Sequence, residues 1–183
     1  MEHEFWHERW ERNEIGFHQQ DFNAHMQAFT HRLQLQAGSH VLVPLCGKSL
    51  DMLWLNDQGY RVSGIEISRQ AVLDFFAENG LEFTVTRANG RETFRHGKLS
   101  IICGDFFDID AAAIGPVEAV YDRASLVALP PPMRRNYARH LLQLAPPGSR
   151  ILLVTLEYPQ EEMRGPPFSV SKDEVKALYD DDC

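Results

Sequence analysis

Residues 40 to 66, HVLVPLCGKSLDMLWLNDQGYRVSGIE, decide the architecture. The stretch opens on an apolar run, Val41-Leu42-Val43-Pro44-Leu45, whose length and composition suit a buried strand. Cys46-Gly47 is a sharp turn, where glycine permits a backbone that other residues resist. A helix is expected next, with Leu50, Leu53 and Trp54 on one face and a stop at Asn56-Asp57-Gln58-Gly59. A second strand, Arg61 to Ile65, ends on a carboxylate, Glu66. Strand, helix and strand in this order make a βαβ unit, with parallel strands and a right-handed crossover.

The acid closing that unit carries chemistry. In nucleotide-binding βαβ units an Asp or Glu about 20 residues after the glycine turn accepts hydrogen bonds from both ribose hydroxyls, a task that suits a group with acceptors only. Glu66 stands in that place, and a solvated glutamate at a strand end is the plainer alternative.

Upstream, residues 2 to 12 form an expected helix with Trp6 and Trp10 one turn apart. His3-Glu4-Phe5-Trp6-His7 also matches the H-E-x-x-H zinc signature. That reading is rejected: a catalytic zinc needs a third protein ligand and an orienting shell, and this motif starts where helices fray. A loop surrounds Gly16-Phe17-His18, and a second helix is expected over about Phe22 to Leu33, with Phe22, Met26, Phe29 and Leu33 on one stripe. Gly47-Lys48-Ser49 resembles the end of a Walker A loop, but Leu42 occupies the position of its first glycine, so phosphate cradling is not expected.

Downstream, Ser68 caps an expected helix to Glu78 whose Val72, Phe75 and Phe76 face the sheet. Phe83 to Thr86 reads as a third strand, and Ala88 to Lys98 as a polar connection or hairpin. Leu99 to Cys103 is the fourth strand, leading to Asp105 and Phe106. An acid and an aromatic after a strand suit an adenine amine and ring, with a turn acid beside core phenylalanine as the alternative. Val117 to Tyr121 is the fifth strand, with Asp122-Arg123 at its carboxyl end, where ligands bind in open α/β sheets. A helix from about Met133 to Leu144, a strand from Ile151 to Leu156 and a helix from Lys172 to Tyr179 complete the reading. Alternating strands and helices predict a doubly wound, mostly parallel α/β sheet with helices on both faces.

Composition narrows the partners. Acids outnumber bases 26 to 18 in 183 residues, a formal charge of −8, which repels phosphate backbones and argues against nucleic acid. No apolar run approaches a membrane-spanning length, and the acidic start lacks a signal-peptide pattern. Cys46, Cys103 and Cys183 are odd in number and far apart, which predicts reduced thiols in a cytoplasm.

The segment VLVPLCGKSLDMLWL, continuing through Gly59, Val62, Gly64-Ile65-Glu66, Ser68, Ala71 and Phe75-Phe76, resembles that of thiopurine S-methyltransferases. The resemblance extends to Trp6, Trp10, Phe17-His18, Tyr121-Asp122-Arg123, Ala124 to Leu129 and Gly165-Pro166-Pro167-Phe168, nearly the whole chain in order. It implies a Rossmann-like methyltransferase of one domain, residues 1–183, with a helical N-terminal lid over 1–36 and a cofactor-binding core over 37–183. It implies S-adenosylmethionine as cofactor, lined by Trp10, Leu45, Glu66, Asp105, Phe106 and Arg123, with Phe17 and His18 facing the acceptor. Arg123 is then also the candidate catalytic residue, stabilising a thiolate by its fixed charge or holding a cofactor carboxylate. The implied reaction is S-methylation of an aromatic or heterocyclic thiol such as a thiopurine, with selenium and tellurium compounds as further acceptors. The protein is expected to act as a cytoplasmic monomer without metal, nucleic acid or membrane partners.

The sheet of such methyltransferases closes with two further strands, and nothing resembling them precedes Asp180-Asp181-Asp182-Cys183, so these strands are expected to be missing, the sequence being a fragment or trimmed at its end. A nicotinamide-dependent oxidoreductase and a non-catalytic adenosyl-binding module are the competing readings. The first of these needs a G-x-G-x-x-G turn, and Pro44-Leu45-Cys46-Gly47-Lys48-Ser49 is not one.

Overall fold

The computed structural model describes residues 3–179. Glu2, where the first helix is expected to begin, and the closing Asp180-Asp181-Asp182-Cys183, with the third cysteine, lie outside the described residues. In chain order the elements are α1 (His3–Glu11), α2 (Ala24–Phe29), β1 (His40–Val43), α3 (Asp51–Asp57), β2 (Arg61–Glu66), α4 (Arg69–Glu78), β3 (Thr84–Ala88), β4 (Arg91–His96), β5 (Leu99–Cys103), α5 (Ala111–Ile114), β6 (Ala119–Arg123), α6 (Ser125–Ala128), α7 (Pro131–Leu144), β7 (Arg150–Val154) and α8 (Lys172–Tyr179). Among the described residues, seven strands form one sheet in the order β3-β4-β5-β2-β1-β6-β7.

From β5 to β7 all neighbours are parallel, β1 pairing with β2 on one side and β6 on the other. Strand alternation sends successive side chains to opposite faces. Val41, Val43, Val62, Ile101 and Tyr121 join one core with α2, α3 and α4. Leu42, Ile65, Ile102 and Val120 join the other, with Tyr137, Leu141 and Leu144 of α7 and Tyr179 of α8. The chain winds outward from β1 through β2 to β5 and returns to β6, so a crevice is expected between the carboxyl ends of β1 and β6.

Several boundaries differ from expectation for identifiable reasons. β1 stops at Val43, because Pro44 has no N–H and Leu45 takes a left-handed backbone, φ 44°. The buried face of α3 is Asp51, Met52 and Leu55, while Leu53 and Trp54 are only partly covered. A buried acid in the first turn disguised the apolar stripe. The second helix is shorter than expected: Asn23 caps it, Thr30–Leu33 tightens into a 3-10 turn, and Phe22 and Phe29 are exposed. The polar stretch after Ala88 is a full strand, β4, turned at Asn89 (φ 52°) and Gly90 (φ 75°) and paired antiparallel to both β3 and β5. β6 begins later than expected and includes Asp122 and Arg123.

Candidate active site

A cleft of about 480 Å³ opens at the carboxyl ends of β1, β2, β6 and β7. The exits of the two switch-point strands share a backbone peculiarity: Leu45 after β1 and Ala124 after β6 both have positive φ, 44° and 72°, and both line the cleft. Strained backbone of this kind persists where surrounding structure holds it, commonly at functional sites. After Leu45 the chain passes Gly47, itself at φ 53°. A Cβ there would meet Trp10 Cζ2 at 3.0 Å, so the glycine serves both the turn and the close seat of the Trp10 ring.

Glu66 sits at the end of β2 on the cleft lining, buried. Its Oε2 accepts from Gly47 N at 2.8 Å and its Oε1 from Ser68 N at 2.7 Å. Burial pushes the carboxyl up to about 7, against the backbone hydrogen bonds from Ser68, Gly47 and Ile67, which lower it. Each carboxylate oxygen accepts more than one hydrogen bond, so capacity remains for a pair of hydroxyl donors.

The backbone of the first turn is committed inward. Cys46 N donates to Ile65 O at 2.9 Å, Gly47 N to Glu66, and Ser49 N to Cys46 O at 3.1 Å. A pyrophosphate needs such N–H groups free and converging. The turn therefore fits an adenosyl group without phosphate better than a dinucleotide.

Arg123 reaches the cleft from β6, and its side chain is 13% exposed. Its partner is not the neighbouring Asp122. Nε pairs with Asp51 Oδ2 at 3.0 Å, and Nη2 donates to Ser49 Oγ at 3.0 Å. Asp122 turns into the core, where its Oδ2 accepts from Tyr137 OH at 2.7 Å, and burial raises its carboxyl to about 6. Asp51 and Ser49 were absent from the expected site residues.

Aromatic side chains roof the cleft. Phe17 packs edge-to-face on Trp6 (5.7 Å) and Trp10 (5.5 Å), and all three line the cavity. Beside them His18 has its imidazole held below its usual range, by partial burial first and then by the charge of Lys48, while Glu78 opposes and Arg123 adds to the lowering. Val127, Ala128, Pro166 and Pro167 add apolar surface to the cleft wall. Trp10, Leu45, Glu66, Arg123, Phe17 and His18 are thus gathered in one cleft. Asp105 and Phe106 are not on its lining. Asp105 Oδ2 meets His3 Nε2 of α1 at 2.8 Å, and the Phe106 ring is buried against Tyr137 at 4.9 Å and His140 at 5.0 Å.

The thiopurine S-methyltransferase family model matches residues 1–183. The chain belongs to the thiopurine S-methyltransferase family. Among relatives named thiopurine S-methyltransferase, one from Pseudomonas putida is 53% identical over 175 residues, covering 96% of this chain and 81% of that protein. Another from Pseudomonas paraeruginosa is 49% identical over 179 residues, covering 98% of this chain and 82% of that protein. The fold recurs in a SAM-dependent methyltransferase from Anabaena variabilis, with TM-score 0.66 at 15% identity over 98% of this chain and 80% of that one. It recurs also in a TehB-like SAM-dependent methyltransferase from Corynebacterium glutamicum, with TM-score 0.59 at 12% identity over 96% of this chain and 80% of that one. As a member of its family the chain is an S-adenosylmethionine-dependent methyltransferase. The residues present fit that cofactor: a buried acceptor for ribose, a first turn closed to phosphate, and an aromatic roof suited to a sulfonium.

Proposed function

We infer that this methyltransferase acts on the sulfur of small aromatic or heterocyclic thiols. The observation that carries the reading is one cleft lined together by the Glu66 carboxylate, the Arg123 guanidinium and the rings of Trp6, Trp10 and Phe17. S-adenosylmethionine, when bound, supplies an electrophilic methyl on a sulfonium sulfur. Glu66 would hold its ribose, and Trp10 and Leu45 would line the wall on the cofactor side.

Arg123 contributes fixed positive charge. That charge is felt at His18, on the side assigned to the acceptor, and so favours an acceptor that arrives as an anion. A heterocyclic thiol ionises readily enough to do so without a dedicated base. The apolar wall of Val127, Ala128, Pro166 and Pro167 suits a flat ring and excludes water, which strengthens the electrostatics inside. Methyl transfer disperses charge, so the main contribution of these residues is alignment of nucleophile and methyl. Asp105 and Phe106 belong to the cofactor site in this reading only if α1 releases Asp105 from His3. The N-terminal segment acts as the lid. The two unpaired thiols Cys46 and Cys103 suit a reducing, cytoplasmic compartment, and the protein is read as a monomer.

The test is a panel of matched acceptors, an aromatic thiol, its phenol, its aniline and its selenol, scored by S-adenosylhomocysteine release. Turnover is expected with the thiol and the selenol. Turnover with the phenol or aniline alone would overturn the assignment to sulfur.

A further inference from the structure

The charge that faces the acceptor is set by a residue that does not face it. Asp51, 1% exposed, lies in the first turn of α3 with a carboxylate that serves three donors. Oδ1 accepts from Asn23 N at 2.8 Å, and Oδ2 accepts from Tyr121 OH at 2.8 Å and pairs with Arg123 Nε at 3.0 Å. Ser49, two residues earlier, ties off the same arrangement: its Oγ accepts from Asp51 N at 3.3 Å and from Arg123 Nη2 at 3.0 Å. The Nε–Nη2 edge of the guanidinium is therefore held by the start of α3, and neither bond uses Nη1. Tyr121 remains a donor, since burial and then the Asp51 charge raise its hydroxyl far above its usual range. Asn23 caps α2, lines the cleft and ends the N-terminal segment that carries Trp6, Trp10 and Phe17. One carboxylate thus grips the root of the roof and the cation beneath it.

We propose that Asp51 is a positioning residue for methyl transfer, orienting Arg123 toward the acceptor and coupling that orientation to the seating of the N-terminal segment through Asn23. This rests on the role given to Arg123 above. An asparagine at this position has one acceptor oxygen and one amide group. Turned one way, its amide faces the Arg123 cation; turned the other, it faces the Asn23 N–H. Either orientation breaks one of the two couplings while leaving the volume unchanged.

The test is a double-mutant cycle on kcat/KM for an aromatic thiol, using the full chain, the single variants Asp51→Asn, Arg123→Lys and Arg123→Ala, and the pair Asp51→Asn with Arg123→Lys, each checked for folding by circular dichroism. Asp51→Asn is expected to lower kcat/KM by at least about tenfold, chiefly in kcat, with a far smaller change in cofactor Kd. In the Arg123→Lys background the same change is expected to cost no more than about threefold, because residues acting through one another are not additive. Hydrogen exchange of the Asn23 amide should quicken in Asp51→Asn. If that variant does not fold, Ser49→Ala takes its place, with a loss of about threefold to tenfold that again vanishes in the Arg123→Lys background. Full additivity with an impaired Arg123→Lys sinks the present inference and leaves the role of Arg123 standing. A wild-type Arg123→Lys together with a wild-type Arg123→Ala removes both.

Discussion

At Glu66 two demands would meet under the proposed ribose role: burial that favours the protonated acid, and hydroxyl donors that need the carboxylate. With its carboxyl near 7 in the free protein, cofactor binding requires ionisation, so affinity should weaken by up to tenfold per pH unit below about 7 and level off above it. The folded value lies above the unfolded one, so this group's stability contribution is full below about 4.5 and is lost as pH rises through about 7, amounting to about 3 kcal/mol. Chemical denaturation of Glu66→Gln from pH 4.5 to 8 should lack that part of the slope. Glu66→Ala should lower cofactor affinity by more than about tenfold, since two hydrogen bonds to a charged group are lost. A folded Glu66→Ala that binds normally would contradict the ribose assignment. At Arg123, electrostatic stabilisation predicts that Lys retains much of the turnover and Ala loses it, most severely below the acceptor's thiol pKa; bidentate holding predicts that both fail alike through weaker binding. Glu66 and Arg123 were legible because each closes a strand. Asp51 was not, because an acid opening a helix ordinarily faces water. Its place beside Met52 and four residues before Leu55 was the one available signal.

Among the elements, α1 packs on α4 rather than on a strand, and with the loop after it lines the cleft through Trp6, Trp10, Gly16, Phe17, His18 and Gln19. Trp10 rests on Gly47 and Phe17 packs on both Trp6 and Trp10, so the roof is a single aromatic cluster built on a glycine turn. Cofactor binding should change tryptophan fluorescence and slow hydrogen exchange over residues 3 to 20, with Trp54 of α3, outside the lining, as a nearly constant background. Identical exchange with and without cofactor would remove the lid. Elements whose apolar period is clean were readable in advance: α4 runs Arg69–Glu78 with Ser68 as its cap, and Val72, Phe75 and Phe76 buried. The β3–β4 hairpin was only half readable. Its second strand, RETFRH, buries Phe94 but otherwise carries side chains that read as loop, and only Asn89-Gly90 marks the turn. What makes it a strand is pairing with β5, which no local pattern reports.

Over the whole molecule, the sheet order places β1 and β6 side by side, and the cleft lies over that seam and the neighbouring ends of β2 and β7, with the N-terminal segment and the Pro166-Pro167 loop completing its lining. The far rim is held from behind by a buried ion pair. Arg134 of α7, 1% exposed, donates from Nη1 to both oxygens of Glu174 on α8 at 2.8 Å and to Ser169 O at 3.1 Å. Its guanidinium lies 5.9 Å from the Phe168 ring centroid, next to Pro166 and Pro167 on the rim. Glu174→Ala leaves that guanidinium buried without its carboxylate. Because Glu174 is about a third exposed, the expected cost is discounted to about 2 kcal/mol, or a Tm lower by about 5 °C. Acceptor KM should rise while cofactor Kd holds, and a variant with unchanged Tm would show that the pair adds nothing.

Transfer of a methyl from the sulfonium to an acceptor sulfur is the step on which the proposed function stands. It is tested most directly by incubating the protein with methyl-deuterated S-adenosylmethionine and an aromatic thiol, then quantifying both products by mass spectrometry. One deuterated S-methyl thioether should form for each S-adenosylhomocysteine, and both products should be lost in Arg123→Ala. Cofactor consumption without label on sulfur, or no consumption by a protein that binds both ligands, would contradict it.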